Sequence, residues 1–194
     1  NSDFALLRIV SNAVRELSEG ELLQMEKARR LDITEEVYYE IIRRKTASLI
    51  ASCCAVGASS VGVSQEVIDS MTQFGMKVGI AFQIKDDLFD FGKEEIGKPV
   101  GIDIKEKKMT LPLIYALNNA PWLEKRRIIN IIRNQSHLPA KVTEVIQFVH
   151  QSGGIEYAKN AMEGFITEAR EILYKFPQSA YRDSLDGLVQ YTIE

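Results

Sequence analysis

Apolar positions recur at helical spacing along almost the whole chain. In residues 4–30, Leu6, Leu7, Val10, Val14 and Leu17 are followed by Leu22, Met25 and Ala28, which predicts a long first helix. A second starts at Asp32 or Thr34, either of which can cap it, and runs through Val37, Ile41, Ile42, Leu49 and Ile50 to near Gly57. The segment ASSVGVS breaks the pattern, and Ser64 can cap a third helix reaching about Phe91. Pro121, Pro139, Gly153-Gly154 and Pro177 punctuate the remainder, with helices predicted at 111–119, 122–135, 140–151, 154–175 and 179–192. No strand-like alternation of useful length, short repeat or low-complexity segment interrupts this reading. The fold class is all-α, with residues 1–194 expected to form a single helical domain.

One helix carries an unusual polar face. Gln83, Asp86, Asp87 and Asp90 stand at i, i+3, i+4 and i+7, so they share a side, while Ala81, Ile84, Leu88 and Phe91 form an apolar stripe. Like charges at this spacing repel by a few tenths of a kcal/mol, and Asp is a mediocre helix former. The face is either solvated acid or a site for a hard cation. Mg²⁺ fits the second reading, since it takes oxygen ligands, keeps waters and binds one or two carboxylates together with substrate phosphates. An EF-hand does not fit, because counting from Asp86 places Leu88, Phe91 and Gly97 where that loop needs an acidic ligand, glycine and glutamate.

The acids are followed by residues 92–110, where Gly92, Gly97, Pro99 and Gly101 lie among five lysines and four acids. Such a segment reads as a functional loop. Lys98 and Lys108 flank it, and Lys45-Thr46 sits upstream in IIRRKTASL. Carboxylates holding Mg²⁺ and lysines from other segments would together clamp a diphosphate. For Lys45 alone, the alternative is a solvated lysine beside Arg43 and Arg44.

Composition narrows the partners. The chain has 24 basic and 27 acidic residues, a net charge of −3, and therefore no basic footprint for nucleic acid. Its longest weakly polar run, residues 49–58, is far too short for a transmembrane segment. The two cysteines, Cys53 and Cys54, are adjacent, which points to reduced thiols, buried in a helix, and a cytoplasmic location. Too few thiol and histidine ligands cluster for zinc or iron. His137 and His150 read as surface residues, and Tyr38, Tyr39, Phe74, Phe82 and Phe89 as core aromatics.

The motifs EGELLQ (19–24), IIRRKTASL (41–49), FQIKDDLFDF (82–91) and GKPVGIDIKEKKMTLP (97–112) occur in an order that resembles the trans-polyprenyl diphosphate synthases. The resemblance covers the chain from about Glu19 onward and is most specific over 82–112. It implies a partial isoprenoid-synthase helical bundle, homodimeric in the intact enzyme. The implied function is a Mg²⁺-dependent prenyltransferase that condenses an allylic diphosphate with isopentenyl diphosphate into a longer polyprenyl diphosphate. Asp86, Asp87 and Asp90 would then be the second aspartate-rich motif and hold the metal, with Asp86 as its direct ligand. Lys45, Lys98 and Lys108 would bind the allylic diphosphate, and Thr46 and Gln83 would present oxygens near the carbocation left when the diphosphate departs. Gln24 would line the cavity, with an exposed helix glutamine as the alternative.

The sequence departs from the family pattern at Ile102, where a small polar residue is common, and at Lys107, where Gly is common. A first aspartate-rich motif is also missing, since Asp3 is the only acid before Glu16. The expected reading is the C-terminal portion of a synthase, poorly active in isolation. The competing one is a short, non-catalytic helical subunit that binds or regulates a complete synthase. Terpene cyclases share an aspartate-rich motif but do not usually follow it with a Gly-Lys…Lys-x-Thr-Leu-Pro loop.

Overall fold

The computed structural model describes residues 4–28, 31, 33–92 and 100–193, and among them every regular element is helical. In chain order these are α1 (Phe4–Ala28), α2 (Glu35–Ile42), a π-helical turn (Arg43–Ala47), α3 (Ser48–Ser60), α4 (Gln65–Phe89), α5 (Ile102–Lys105), α6 (Leu111–Asn119), α7 (Trp122–Asn134), α8 (Pro139–Gln151), α9 (Gly154–Leu173) and α10 (Ala180–Ile193). Thr34 opens α2: its hydroxyl accepts the Val37 N–H at 3.4 Å and its carbonyl the Tyr38 N–H at 3.0 Å. Asp32, the other expected cap, lies outside the described residues. Pro112 and Pro139 fall in the first turns of α6 and α8, where the missing N–H costs no hydrogen bond.

The residues cluster into two compact units. The first comprises Asn1–Leu23, Tyr39–Gln83 and Ala161–Glu194, and the second Gln24–Tyr38 and Ile84–Asn160. In the first, the buried face of α3 and the preceding turn is a row of alanines, Ala47, Ala51 and Ala55, spaced one helical turn apart. Opposite them stand Gly75 and Gly79 of α4. A Cβ on Gly79 would lie 2.6 Å from Ala47 Cα, and one on Gly75 would lie 2.8 Å from Ala51 Cα. Two helices approach this closely only when neither carries bulk at the crossing.

This seam corrects one expectation. Cys53 is exposed and Cys54 half-buried, rather than both being buried. The alanine row already defines the inner face of α3, and Cys53 follows Ala51 by two residues, which turns it outward. Both thiols are free, as expected. Phe82 is likewise exposed, whereas Tyr38 and Phe74 are buried. On α1 the apolar positions Leu7, Val10 and Val14 are exposed together with Phe4.

The second unit has a branched aliphatic core in which Ile84, Leu111, Leu113, Ile128, Ile132, Val145 and Val149 are fully buried. Each contributes about 1.5–3 kcal/mol by leaving water. Helices α5, α6 and α7 all pack on α8. Tyr157 stacks on Tyr115 with ring centroids 4.2 Å apart and donates its hydroxyl to Glu35 Oε1 at 2.5 Å. That bond to a carboxylate pushes the Tyr157 phenol up to about 12 and ties α9 to the start of α2. Among the described residues no helix is long and apolar enough to cross a membrane.

Candidate functional site

In the first unit, Lys45-Thr46 does not sit on a regular helix. It lies in the π-helical turn, where the Ser48 N–H bonds to Arg43 O, five residues back. In an α-helix that N–H would serve Arg44 O; here the buried Ser48 hydroxyl donates to Arg44 O instead, at 2.7 Å. The side chain thus satisfies the carbonyl that the widened turn releases. Widened turns of this kind are frequent at functional sites. Gly20 of EGELLQ packs directly on the turn, since a Cβ there would lie 2.9 Å from both Arg44 Cβ and the Lys45 backbone nitrogen.

Charge pairs hold the same turn from two helices. Arg44 binds Glu19 at 2.6 Å and Glu40 at 2.5 Å, Arg43 binds Glu40 at 2.9 Å and Glu16 at 3.5 Å, and Lys45 Nζ lies 3.0 Å from Glu21 Oε1. The Arg43 hydrogen bond, aided by Arg44, holds the Glu40 carboxyl down at about 2 despite the opposing effect of burial. Thr46 Oγ1 donates to Gln83 Oε1 at 2.5 Å. Two residues far apart in sequence, both singled out there as catalytic candidates, therefore meet side chain to side chain.

In the second unit the three aspartates have three different environments. Asp86 is exposed. Asp87 is half-buried, and its Oδ2 accepts the hydroxyl of buried Tyr38 at 2.7 Å. Burial pushes the Asp87 carboxyl up to about 8, the Tyr38 bond opposes this, and the Asp103 and Asp86 carboxylates add to the rise. Asp90 is only 7% exposed. Backbone N–H groups of Asp103, Ile102 and Ile104 turned toward its carboxyl pull its pKa down, but burial outweighs them and raises it above the ordinary aspartate value.

The lysine loop is partly described. Lys98 lies outside the described residues. Lys108 Nζ pairs with Asp103 at 3.0 Å and Glu106 at 2.7 Å. Burial pulls its pKa down, but the bonds to Glu106 and Asp103 win and hold it above the ordinary lysine value. Lys107, which stands where Gly is common, adopts the left-handed conformation itself, with φ 60°. The turn keeps a glycine-like shape, and Lys107 Nζ donates to Arg133 O at 2.8 Å. Gln24 is half-buried on α1, and His137 and His150 are exposed as expected, with His150 Nε2 2.9 Å from Phe91 O.

Two residues of the site escaped the sequence reading. Tyr38 reads as a core aromatic, and it is buried, but its hydroxyl is aimed at Asp87. Asp103 was not singled out, although its place in GIDIKEKK between Asp90 and Lys108 was the available signal. Among the described residues no three His, Cys, Asp or Glu side chains gather ready to hold an ion. Asp86 and Asp87 still fit Mg²⁺, which uses one or two protein carboxylates, and the acid of Asp86 and Asp103 that raises the Asp87 carboxyl is of the sign a cation would relieve. A cleft of about 450 Å³ opens in the first unit between α1, α3 and α4. Asn12, Glu16 and Thr72 interrupt its apolar lining of Ile9, Ile68 and Met76, so it does not by itself define a hydrocarbon slot.

The helical architecture is that of the all-α isoprenoid synthases. The chain superposes on a decaprenyl diphosphate synthase from Rhodobacter capsulatus with TM-score 0.92 at 33% identity, covering 98% of this chain and 59% of that one. A polyprenyl synthase from Caulobacter crescentus, solved with calcium and isoprenyl diphosphate, gives TM-score 0.90 at 30% identity over 98% and 59%. Residues 1–149 match the Polyprenyl synthetase family, and the chain belongs to that family. It is 36% identical over 192 residues to the short chain isoprenyl diphosphate synthase of Methanothermobacter thermautotrophicus, covering 98% of this chain and 58% of the relative. The octaprenyl diphosphate synthase of Escherichia coli is 31% identical, over 97% and 59%. The chain thus spans somewhat over half the length of the relatives it matches.

Proposed function

We propose that this chain is part of a prenyltransferase that joins an allylic diphosphate to isopentenyl diphosphate and yields a longer polyprenyl diphosphate. The observation that carries the reading is the Thr46–Gln83 hydrogen bond at the π-helical turn, beside Lys45. Thr46 spends its proton on Gln83, which leaves the lone pairs of Oγ1 free to face developing positive charge.

Asp86 and Asp87 would hold Mg²⁺, which supplies positive charge to a leaving diphosphate. Lys45, Lys98 and Lys108 would bind the diphosphate oxygens. Lys45 and Lys108 are held by Glu21 and by Asp103 and Glu106, pairs that a more highly charged diphosphate would outcompete. The C–O bond of the allylic substrate breaks, the alkene of isopentenyl diphosphate attacks the allylic cation, and a proton leaves the adduct. No side chain acts as a nucleophile in this scheme. Family membership supports a homodimer for the complete protein, and the free adjacent cysteines support a cytoplasmic location.

The test is incorporation of labelled isopentenyl diphosphate by the complete protein with dimethylallyl or farnesyl diphosphate and Mg²⁺. Elongated product is expected, and Asp86→Ala should cut the rate by about two orders of magnitude or more. Undiminished elongation by Asp86→Ala would remove the metal role from this residue.

A further inference from the structure

Asp90 ends the acidic stripe, yet its surroundings differ from those of Asp86. Helix α4 tightens as it finishes: the N–H groups of Asp90, Phe91 and Gly92 bond three residues back, to Asp87, Leu88 and Phe89. Asp90 is thereby drawn into the protein, 7% exposed, while Asp86 one turn earlier stays in solvent. Its backbone carbonyl accepts the Gly101 N–H at 3.0 Å, and the N–H groups of Ile102, Asp103 and Ile104 are turned toward its carboxyl. The start of α5 is therefore fastened to a single residue by both its main chain and its side chain.

Helix α5 needs such a partner. Its N-cap is Gly101, which has no side chain to receive the first N–H groups. Glycine is required there, because φ is +80° and a Cβ would lie 2.3 Å from Val142 Cγ1. Asp90 supplies from a distance the oxygen that a Ser, Thr or Asp cap would supply locally. Ile104 is buried and α5 packs on α8, and Asp103 in the first turn pairs with Lys108 Nζ at 3.0 Å, while Asp103 O accepts the Lys108 N–H at 2.8 Å.

The same arrangement argues against Asp90 as an ion ligand. Its Oδ2 is buried from solvent, with no partner among the described residues. A Mg²⁺ ion that keeps several waters cannot reach an oxygen closed off in this way. Three N–H dipoles already turn their positive ends toward the carboxyl group.

We propose that Asp90 is a positioning residue that caps α5 and thereby places Asp103 and Lys108, and that the metal role of the stripe stops at Asp86 and Asp87. The proposal rests on the reading of Asp86 as a metal residue and Lys108 as a diphosphate residue. Two readouts on the complete protein keep it separable from that reading: hydrogen exchange of the 102–105 amides, and calorimetric binding of inorganic diphosphate across a Mg²⁺ series.

Asp90→Ala is expected to raise exchange at 102–105 about tenfold and weaken diphosphate binding by about the same factor, the usual scale for a lost cap. Asp90→Asn keeps a carbonyl oxygen and should restore most of both. Neither should move the Mg²⁺ midpoint, which Asp86→Asn should shift while leaving exchange at 102–105 unchanged. If Asp90→Asn shifts the Mg²⁺ midpoint as Asp86→Asn does, with exchange unaltered, Asp90 is an ion ligand and the proposal falls. It also falls if Asp90→Ala leaves exchange at 102–105 unchanged. A flat Mg²⁺ response in Asp86→Asn, with exchange still raised in Asp90→Ala, would overturn the metal reading and leave the cap standing.

Discussion

Gly79→Ala adds one methyl group at the tightest helix crossing of the first unit. The new Cβ would lie 2.6 Å from Ala47 Cα and 2.9 Å from Ala47 Cβ, and Ala47 is fully buried. Carbon atoms prefer about 3.5–4.0 Å, so α4 and the π-helical turn must separate by about 1 Å. Overpacking of this kind costs about 1–3 kcal/mol, against which the better helix propensity of alanine returns up to about 1 kcal/mol. The net expectation is a loss of about 1–2 kcal/mol, seen as a fall of about 3–6 °C in Tm for a chain of this size.

The consequence for the site is larger than for stability. Thr46 neighbours Ala47, and Gln83 lies one turn beyond Gly79, so the same displacement opens the 2.5 Å Thr46–Gln83 bond to about 3.5 Å, beyond a useful hydrogen bond. Prenyl transfer by the complete protein should therefore drop more than its folded fraction does. Thermal and urea unfolding, run beside the elongation assay, measure both. An unchanged or higher Tm would refute the packing argument. A lower Tm with full activity in the folded fraction would refute the coupling of this seam to the site.

Lys107→Gly relieves a left-handed residue but gives up the Nζ–Arg133 O bond, so a small gain of about 0.5 kcal/mol is expected in urea unfolding; a loss would mean the bond outweighs the strain. Glu40 titrates at about 2 in the folded protein, below its ordinary 4.5, so its stabilisation is complete above the ordinary value and is lost as pH falls toward 2. Allowing for its partial exposure, that contribution is about 1 kcal/mol, and Glu40→Gln should flatten the acid limb of stability against pH by this amount. Tyr38→Phe removes the donor that holds the Asp87 carboxyl down, so the Asp87 titration followed by NMR should move above about 8. A downward move would show that Tyr38 does not donate to this carboxylate.

Much of the architecture is legible in the sequence because helices are written in near-neighbour spacing. The i, i+3, i+4 recurrence of apolar residues, with Pro121, Pro139 and Gly153-Gly154 as stops, locates α6 to α9 within a few residues. It also places Gln83, Asp86 and Asp87 on one face of α4. The motif order that resembles the polyprenyl synthases is equally local, and the family match agrees with it.

What the sequence could not determine depends on partners distant along the chain. The π-helical turn under Lys45-Thr46 exists alongside a Ser48 hydroxyl and a Gly20 seat, neither of which disturbs the helical pattern. Cys53 faces outward because an alanine row pairs with Gly75 and Gly79 on another helix. The three aspartates read as equivalent on a helical wheel, yet Asp86 meets solvent, Asp87 meets Tyr38 and Asp90 meets the start of α5. Spacing sets the direction in which a side chain leaves its helix. Whether it then finds water, a hydroxyl or a row of backbone N–H groups is decided by desolvation, and desolvation exists only once distant segments have packed.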